Sequence, residues 1–274
     1  MTNVRHAAVA GMFYPENAGA LSAVLGDVLT DARQRVDPID PGVPKAIIAP
    51  HAGYVYSAPV AASAYARLAP AAGIIRRVVV IGPCHRVRLL GLAVPTVDAF
   101  ETPLGRIELD RAAIEDVLTL DCVHAWDAPH AEEHSLEVQL PFLQAILPQF
   151  TLVPLVAGDA SVADVAAVLE RVWGGPETVI VVSSDLSHYL DYATARRVDA
   201  GTCRLIETLS AGALDYERAC GRVPIAGLLA VARRRHLKVT TLDLRNSGDT
   251  AGNRQRVVGY GAWMFAAASS GPPG

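Results

Sequence analysis

Short runs of aliphatic and β-branched residues alternate along this chain with longer stretches of helical periodicity. Strands that are apolar on both faces are typical of parallel sheets covered by helices on both sides. The pattern therefore predicts an α/β fold, a single-domain sandwich built around a largely parallel, mixed central sheet. The apolar runs, each bounded by Gly, Pro, Ser or Asp, are Lys45–Ala49, Arg77–Ile81, Thr151–Val156 and Thr178–Val182.

Helices and additional strands are expected around these runs. Two pairs of segments are typical of added antiparallel strands: Leu92–Pro95 with Arg106–Leu109, and Lys238–Asp243 with Arg256–Phe265. Apolar residues at helical spacing predict the helices of the sandwich. These predicted helices are Val60–Leu68, Arg111–Leu118, Ser135–Leu147, Val162–Val172, Ala193–Leu209 and Pro224–His236.

The sequence indicates one domain rather than two. No internal repeat is present, and the turn-rich connection Asp37–Pro44 is too short to separate domains. We therefore predict a single domain over residues 1–265. Residues 266–274 are small and rich in Pro and Gly, which predicts a flexible tail.

Composition excludes several classes of protein. Lys and Arg total 24 against 28 Asp and Glu, a formal net charge of −4, and 51% of residues are apolar. Those values exclude a disordered chain, and without a large basic cluster nucleic acid is not an expected partner. The uncharged window 46–66 could span a bilayer, but Pro50, Gly53 and Pro59 favour strand, loop and helix start. The four cysteines show no pairing pattern, so we expect a cytoplasmic protein that does not bind membranes.

Three of the apolar runs end in residues suited to chemistry. His51 follows the first run, His85 follows the second, and Asp185 and His188 follow the run that ends at Val182. Ligands of open α/β sheets bind beyond the carboxyl ends of the strands. If the three strands are parallel neighbours, these side chains are expected to converge on one crevice.

These residue types suit a mononuclear metal site. Imidazole binds borderline divalent ions, and a carboxylate or thiolate can complete the ligand set. Cys220 is a further candidate, because a helix N-terminus expected at Pro224 and a nearby arginine should make its thiol ionise more easily. Taken singly, His51 can instead bond a turn, Asp185 can cap one, and Cys220 can be a small buried apolar residue. Taken together, they favour a functional site.

A second polar patch, Glu132–Glu137, opens the helix expected to run to Leu147. Ser135 is the expected N-cap, and acidic residues suit the positive end of a helix dipole. That structural explanation does not account for His134, because a cation is disfavoured at this end. We interpret His134 as a neutral imidazole that can serve as a general base or hydrogen-bond donor. The sequence lacks the usual motifs of serine hydrolases, Walker loops and dinucleotide sites.

In this set of motifs the chain resembles the Memo family, whose bacterial members are often called the B protein of the AmmeMemoRadiSam system. The resemblance runs in order along nearly the whole chain. The matching segments are 5–15, 50–57, 82–85, 100–105, 132–137, 183–189, 220–221, 247–249 and 259–260.

The resemblance implies a fold similar to class III extradiol dioxygenases, the non-haem iron enzymes that open catechol rings. It also implies one iron or copper ion per chain, with His51, His85 and Cys220 as ligands. Asp185 and His188 match family positions beside these ligands, and His134 matches another family position in the same pocket. A thiolate in place of the dioxygenase carboxylate favours copper(I), or iron with altered redox behaviour.

Three functional hypotheses follow. The first is iron- or copper-dependent oxidoreductase or dioxygenase-like chemistry on a small substrate, in which His134 or His188 moves protons and Asp185 orients one of them. The second is a binding module whose pocket holds a metal or a peptide without turnover, while partners dock on its surface. Independently of this choice, the resemblance implies a functional association with other AmmeMemoRadiSam proteins. The third is metal-free thiol chemistry, with Cys220 as nucleophile and His51 or His188 as base. The sequence does not decide whether the protein is an enzyme.

Overall fold

The computed structural model describes residues 3–35 and 43–267. Its strands are β1 (Val4–Arg5), β2 (Ala46–Ala49), β3 (Arg77–Pro83), β4 (Leu92–Val94), β5 (Ala99–Thr102), β6 (Gly105–Glu108), β7 (Val123–Ala125), β8 (Thr151–Ala157), β9 (Thr178–Ser183), β10 (His188–Leu190), β11 (Leu237–Asn246) and β12 (Val257–Ala267). Its α-helices are α1 (Ala18–Gln34), α2 (Tyr54–Tyr65), α3 (Arg111–Val117), α4 (Ala128–Ala131), α5 (His134–Glu137), α6 (Leu140–Ile146), α7 (Val162–Arg171), α8 (Tyr192–Glu207) and α9 (Arg222–Arg234).

Four parallel strands form the centre of the main sheet, in the spatial order β2–β9–β3–β8. Every residue of β2 and β9 is buried, as expected for strands that are covered on both faces. Helix α2 packs on β2 and β12, whereas α9 packs on β3 and β9. The carboxyl ends of β2, β9 and β3 therefore lie side by side at one edge of the sheet.

Antiparallel strands flank this parallel centre on both sides. Strand β12 pairs with β2, β10 and β11, and β4 pairs antiparallel with β8 and parallel with β7. A second, smaller sheet has the order β1–β5–β6. The chain is thus a mixed α/β domain, and within the described residues no helix is both long and apolar enough to cross a membrane.

The predicted elements agree with this architecture in part. The four apolar runs are the four central strands, and the antiparallel pair at the C-terminus is β11 with β12. The other predicted pair is wrong, because residues 92–94 pair with β7 and β8 while residues 105–108 pair with β5. The predicted helix start at Val60 is also late, since α2 begins at Tyr54 and contains Pro59.

The predicted helix Ser135–Leu147 is two helices, α5 and α6. Pro141 stands in the first turn of α6, where a missing N–H is tolerated; in the middle of one long helix it would clash with the preceding turn. The cap of α5 is Glu133 rather than Ser135, since the Glu133 carboxylate accepts from Ser135 N at 2.9 Å. Residues Ala266 and Ala267 complete β12, whereas the rest of the predicted tail and residues 37–42 lie outside the described residues.

Candidate metal centre

One cavity of about 800 Å³ lies at the carboxyl ends of the central strands. His51 follows β2, His85 follows β3, and Asp185 follows β9, so the strand order brings them together. His188, at the start of β10, lines the same cavity. Cys220 lines it too, from the segment that precedes α9.

Three imidazoles form a compact group in this cavity: His51, His85 and His134 each offer a nitrogen atom, and these atoms lie within 4.8 Å of one another. The ring centroid of His51 lies 5.3 Å from the centroid of His85 and also 5.3 Å from that of His134. The rings of His85 and His134 stack, with their centroids 4.7 Å apart. His134 reaches the group from the first residue of α5. The arrangement presents three nitrogen ligands to one point.

The tautomer of His51 is fixed by its hydrogen bonds. Ser183 Oγ donates its only proton to Ser135 O at 2.6 Å, so it can only accept from His51 Nδ1, which lies 2.8 Å away. Gln139 Nε2 also donates to Ser183 Oγ, at 2.8 Å. His51 Nδ1 therefore carries the proton, and Nε2 carries the lone pair. Burial also lowers the pKa of His51 well below its usual value, which keeps the ring neutral.

Glu133 fixes His85 in the same way. Its Oε1 lies 2.9 Å from His85 Nδ1, and its Oε2 accepts from the His85 backbone N at 2.6 Å. Burial alone would raise the pKa of Glu133, but the hydrogen bonds and charge of His85 lower it to about 2. An ionised carboxylate accepts only, so His85 Nδ1 carries a proton and donates it to Glu133.

His134 is also a neutral imidazole. Desolvation by burial, reinforced by the neighbouring His51, lowers the pKa of His134 to about 4. Its Nδ1 lies 3.3 Å from Glu133 Oε1. The neutral state agrees with the interpretation from sequence, although burial rather than a helix dipole causes it.

Cys220 adjoins the imidazole group through His51. Its Sγ lies 3.3 Å from His51 Nε2, and the backbone N of Asp185 donates to it at 3.3 Å. The expectation of an easily ionised thiol is wrong: burial and the charge of Asp185 raise the pKa of Cys220 to about 12. The Cys220 side chain is buried beside Ser184 and Asp185, and this desolvation outweighs the effect of the nearby helix N-terminus.

Asp185 supports the backbone of the site. Its side chain is buried, and Oδ1 accepts from His51 N at 2.8 Å. Burial raises the pKa of Asp185 above the usual value for a carboxyl group. Asp185 therefore contacts the backbone of His51 and stabilises the turn that follows β2.

A buried network around Glu137, which the sequence did not predict, supports the histidine group. Glu137 accepts from Arg5 Nη1 at 2.6 Å and from Tyr14 Oη at 2.5 Å. It also accepts from two backbone N–H groups, those of Ala8 and Val9. These bonds tie the N-terminal segment to α5. Phe13, which belongs to that segment, packs on His134 with ring centroids 4.7 Å apart.

Comparison with known proteins assigns a family to this arrangement. The family described as Memo-like protein matches residues 5–264 of the chain. The chain belongs to this family. A MEMO1 family protein of Aquifex aeolicus is 35% identical over 96% of this chain and 99% of its own length. Those of Metallosphaera sedula and Archaeoglobus fulgidus are 31% and 34% identical, over 95% and 96% of this chain and 99% of each relative. The family resemblance drawn from the motifs is confirmed.

Proposed function

We propose that this chain binds one iron or copper ion and uses it in redox chemistry on a small organic molecule held in the 800 Å³ cavity. The observation that carries the proposal is the group of three imidazole nitrogens within 4.8 Å of one another. His51 and His85 each have Nδ1 committed to a hydrogen bond, which is how a ring is oriented to present Nε2 to a metal. Burial lowers the pKa of His51 and of His134, so these two rings stay neutral and bring no charge repulsion to a divalent or monovalent ion.

The ligands in this proposal are His51, His85 and Cys220, as the family resemblance implies. The 3.3 Å contact between Cys220 Sγ and His51 Nε2 supports the sulfur as third donor, because a metal ion that displaces the thiol proton removes the cost of ionising it. His134 is the competing third donor, since its nitrogen belongs to the compact group. Where Cys220 completes the set, His134 remains beside the ion as a neutral base.

The roles of the remaining residues follow from their positions. His134 and His188 line the cavity and are the groups proposed to take or give a proton there. Asp185 positions His51 through the backbone. The bound ion would supply one-electron redox chemistry and Lewis acidity. A site at the carboxyl ends of parallel strands also agrees with a fold like that of class III extradiol dioxygenases, which is part of the proposal.

The cellular setting is proposed from the family. A bacterial protein of this kind would act in the cytoplasm, in functional association with other proteins of the AmmeMemoRadiSam system. A module that binds a metal or a peptide in the same cavity without turnover is the competing function. Metal-free thiol chemistry is supported by the contact between Cys220 and His51, but a thiol pKa of about 12 opposes it.

Metal analysis of protein purified without added metal tests the proposal. We expect close to one ion per chain in the unmodified protein and loss of the ion in His51→Ala. The comparison of Cys220→Ser with His134→Ala identifies the third ligand, since only the ligand's variant loses the ion. His124→Ala, an exposed histidine on β7, is the matched control and should keep the ion. Metal far below one ion per chain that does not change in His51→Ala and Cys220→Ser contradicts the proposal.

Oxygen consumption by the metal-loaded protein, with a reductant or catechols, separates the two metal-dependent functions. Consumption that chelators abolish supports redox chemistry. Full loading without consumption supports the binding module. Substrate turnover that chelators leave intact and thiol alkylation stops would support the metal-free alternative.

A further inference from the structure

Tyr189 has a backbone conformation that its side chain disfavours. Its φ is +59°, in the left-handed region, which is uncommon for residues other than glycine and unfavourable for bulky ones. Within residues 3–35 and 43–267, two other non-glycine residues have a positive φ, Leu209 and His236, both at +54°. Tyr189 directly follows His188, so the strained residue adjoins a group that we propose to transfer protons.

The other two positive values of φ are explained by helix ends. Leu209 N donates to Ile206 O at 3.0 Å after α8, and His236 N donates to Arg233 O at 3.3 Å after α9. Such bonds close a helix through a left-handed residue just past its last turn. Tyr189 lies in the middle of strand β10 and ends no helix, so its conformation needs another explanation.

A β-bulge places Tyr189 in this conformation. His188 pairs with Val258 and Leu190 pairs with Val257, so two steps along β10 match one step along β12 and Tyr189 is the extra residue. Successive side chains of a regular strand point to opposite faces. Here His188, Tyr189 and Leu190 all line the 800 Å³ cavity. The bulge therefore brings the Tyr189 ring to the cavity at the expense of an unfavourable φ.

The Tyr189 ring is held in place without being covered. The Arg256 guanidinium lies over the ring, with Cζ 5.1 Å from its centroid. The His188 ring stands at an angle of 67° to it, with centroids 5.8 Å apart. Tyr189 nevertheless remains 64% exposed. Burial in the protein does not account for this strained placement, whereas contact with a ligand in the cavity does.

A second exposed tyrosine lines the same cavity. Tyr216 is 70% exposed, and Leu190 and Val198 add apolar side chains to the lining. Aromatic rings make offset-stacked and edge-to-face contacts with flat unsaturated groups, and a saturated ring of the same size cannot make these contacts. The two tyrosines therefore favour a ligand with a flat, unsaturated part.

The charged residues of the lining do not strongly favour one sign of ligand charge. Arg86 and Arg218 line the cavity together with Asp185, Asp215 and Glu217, so positive and negative groups nearly balance. Arg218 Nε also lies 3.5 Å from Asp215 Oδ2, which pairs two of these charges with each other. Ring contacts are therefore the better guide to the ligand.

We propose that Tyr189 determines which organic molecules the cavity accepts, by stacking against a flat, unsaturated part of the ligand. A ligand stacked on this ring lies beside the His188 imidazole. The inference rests on the proposed function, because the ligand is the organic molecule of the same cavity. The ring contact itself requires no metal, so it can be tested in metal-free protein.

Binding of two fused-ring alcohols to metal-free protein tests this contact. 2-Naphthol is flat and unsaturated, and decahydro-2-naphthol is its saturated counterpart. NMR shifts of backbone amides give both dissociation constants, and shifts at residues 188–190 locate the site. We expect 2-naphthol to bind more tightly. Tyr189→Ala should weaken 2-naphthol about 3–10-fold and the saturated alcohol less, whereas Tyr189→Phe keeps the ring and should retain the affinity.

Tyr192→Ala is the matched control. Tyr192 also has an arginine over its ring, with Arg254 Cζ 4.4 Å from the centroid, but it is not part of the cavity lining. This variant should keep both affinities. The inference is wrong if 2-naphthol does not bind the unmodified chain, or if Tyr189→Ala weakens both alcohols equally. It is also wrong if Tyr189→Phe loses as much affinity as Tyr189→Ala.

Thermal unfolding of Tyr189→Gly and Tyr189→Ala tests the strain. Both variants lack the ring, but glycine adopts a φ of +59° freely and alanine does not. We expect the glycine variant to melt about 2–4 °C higher, while both variants bind 2-naphthol weakly. An alanine variant that melts as high as the glycine variant overturns the inference. Metal content does not enter either measurement, so failure here is distinct from failure of the proposed metal function.

Discussion

Glu133 holds His85 at two points, through a contact with the ring Nδ1 at 2.9 Å and a hydrogen bond accepted from the backbone N at 2.6 Å. The same carboxylate accepts from Ser135 N at 2.9 Å. The Glu133 carboxylate thus accepts from three N–H groups, and both of its oxygens are in use. The carboxylate fixes the rotation of the His85 ring and holds a proton on its Nδ1.

We expect Glu133→Gln to weaken metal binding by about ten- to a hundredfold. A glutamine has one acceptor oxygen, so its amide N–H₂ would face a donor on His85 or Ser135. Competition with a chromophoric chelator measures the affinity for cobalt(II) or zinc(II). NMR of metal-free protein reports the His85 tautomer, and we expect the Nδ1–H form to lose population in the variant.

Glu132→Gln is the matched control for this prediction. Glu132 is the preceding residue and is exposed, whereas the Glu133 side chain is buried. The control should keep both the affinity and the His85 tautomer. Equal losses in the two variants would mean that net charge in the segment, rather than the contact with His85, matters for binding.

Glu137→Gln is expected to destabilise the fold strongly. Its carboxylate is the ionic partner of Arg5 at 2.6 Å, and both side chains are buried. Removing one member of a buried pair leaves the other charge uncompensated, which costs about 3–5 kcal/mol. Urea unfolding measures the loss of free energy. Glu101→Gln, which removes the partner of the exposed His6, should leave the unfolding midpoint nearly unchanged.

The central sheet could be predicted from sequence because its strands are apolar on both faces. Each of the four predicted runs agrees with the observed strand to within two residues at either end. Which strands pair with one another was harder to predict where the strands are short. The segments 92–94 and 105–108 both have strand character, yet three or four residues carry no information about which neighbour they pair with.

The candidate site was predictable only where it follows strands. His51 and His85 stand at strand ends, where the fold class itself points to a ligand site. The contact of Glu133 with His85 was not predicted, because it joins residues 48 positions apart and no periodicity reports such a contact. The pKa of the Cys220 thiol was misjudged because the local sequence displays an arginine and a helix start, but not the burial beside Ser184 and Asp185.

Asp199 is expected to make stability depend on pH. It is 2% exposed and accepts from Ser187 N at 3.1 Å, and burial raises its pKa to about 6. In the unfolded chain the value is about 3.9. The folded state therefore holds the proton more tightly, so this contribution to stability is full below about pH 4 and is lost as pH rises through about 6.

The Asp199→Asn variant isolates this contribution from other titrating groups. Near pH 4 the two proteins should have similar free energies of unfolding. At pH 7.5 the variant should be more stable by about 2–3 kcal/mol, since it buries no charge. Chemical unfolding at several pH values measures the difference. A difference that does not change between pH 4 and 7.5 contradicts the assignment of a raised pKa to Asp199.

Gly221 keeps Cys220 against the end of β9, and Gly221→Ala tests that placement. An added Cβ would lie 2.6 Å from Ser184 Cβ and 2.7 Å from Ser183 O, so the segment must move away. We expect a loss of about 1–3 kcal/mol in unfolding free energy from overpacking. The Cys220 thiol should also react faster with alkylating reagents, because the shift opens the protein around it.

Gly212→Ala is the control, since nothing lies within 4 Å of a Cβ at that position. A Gly221→Ala protein with unchanged stability and unchanged Cys220 reactivity would show that this glycine does not hold the sulfur in place.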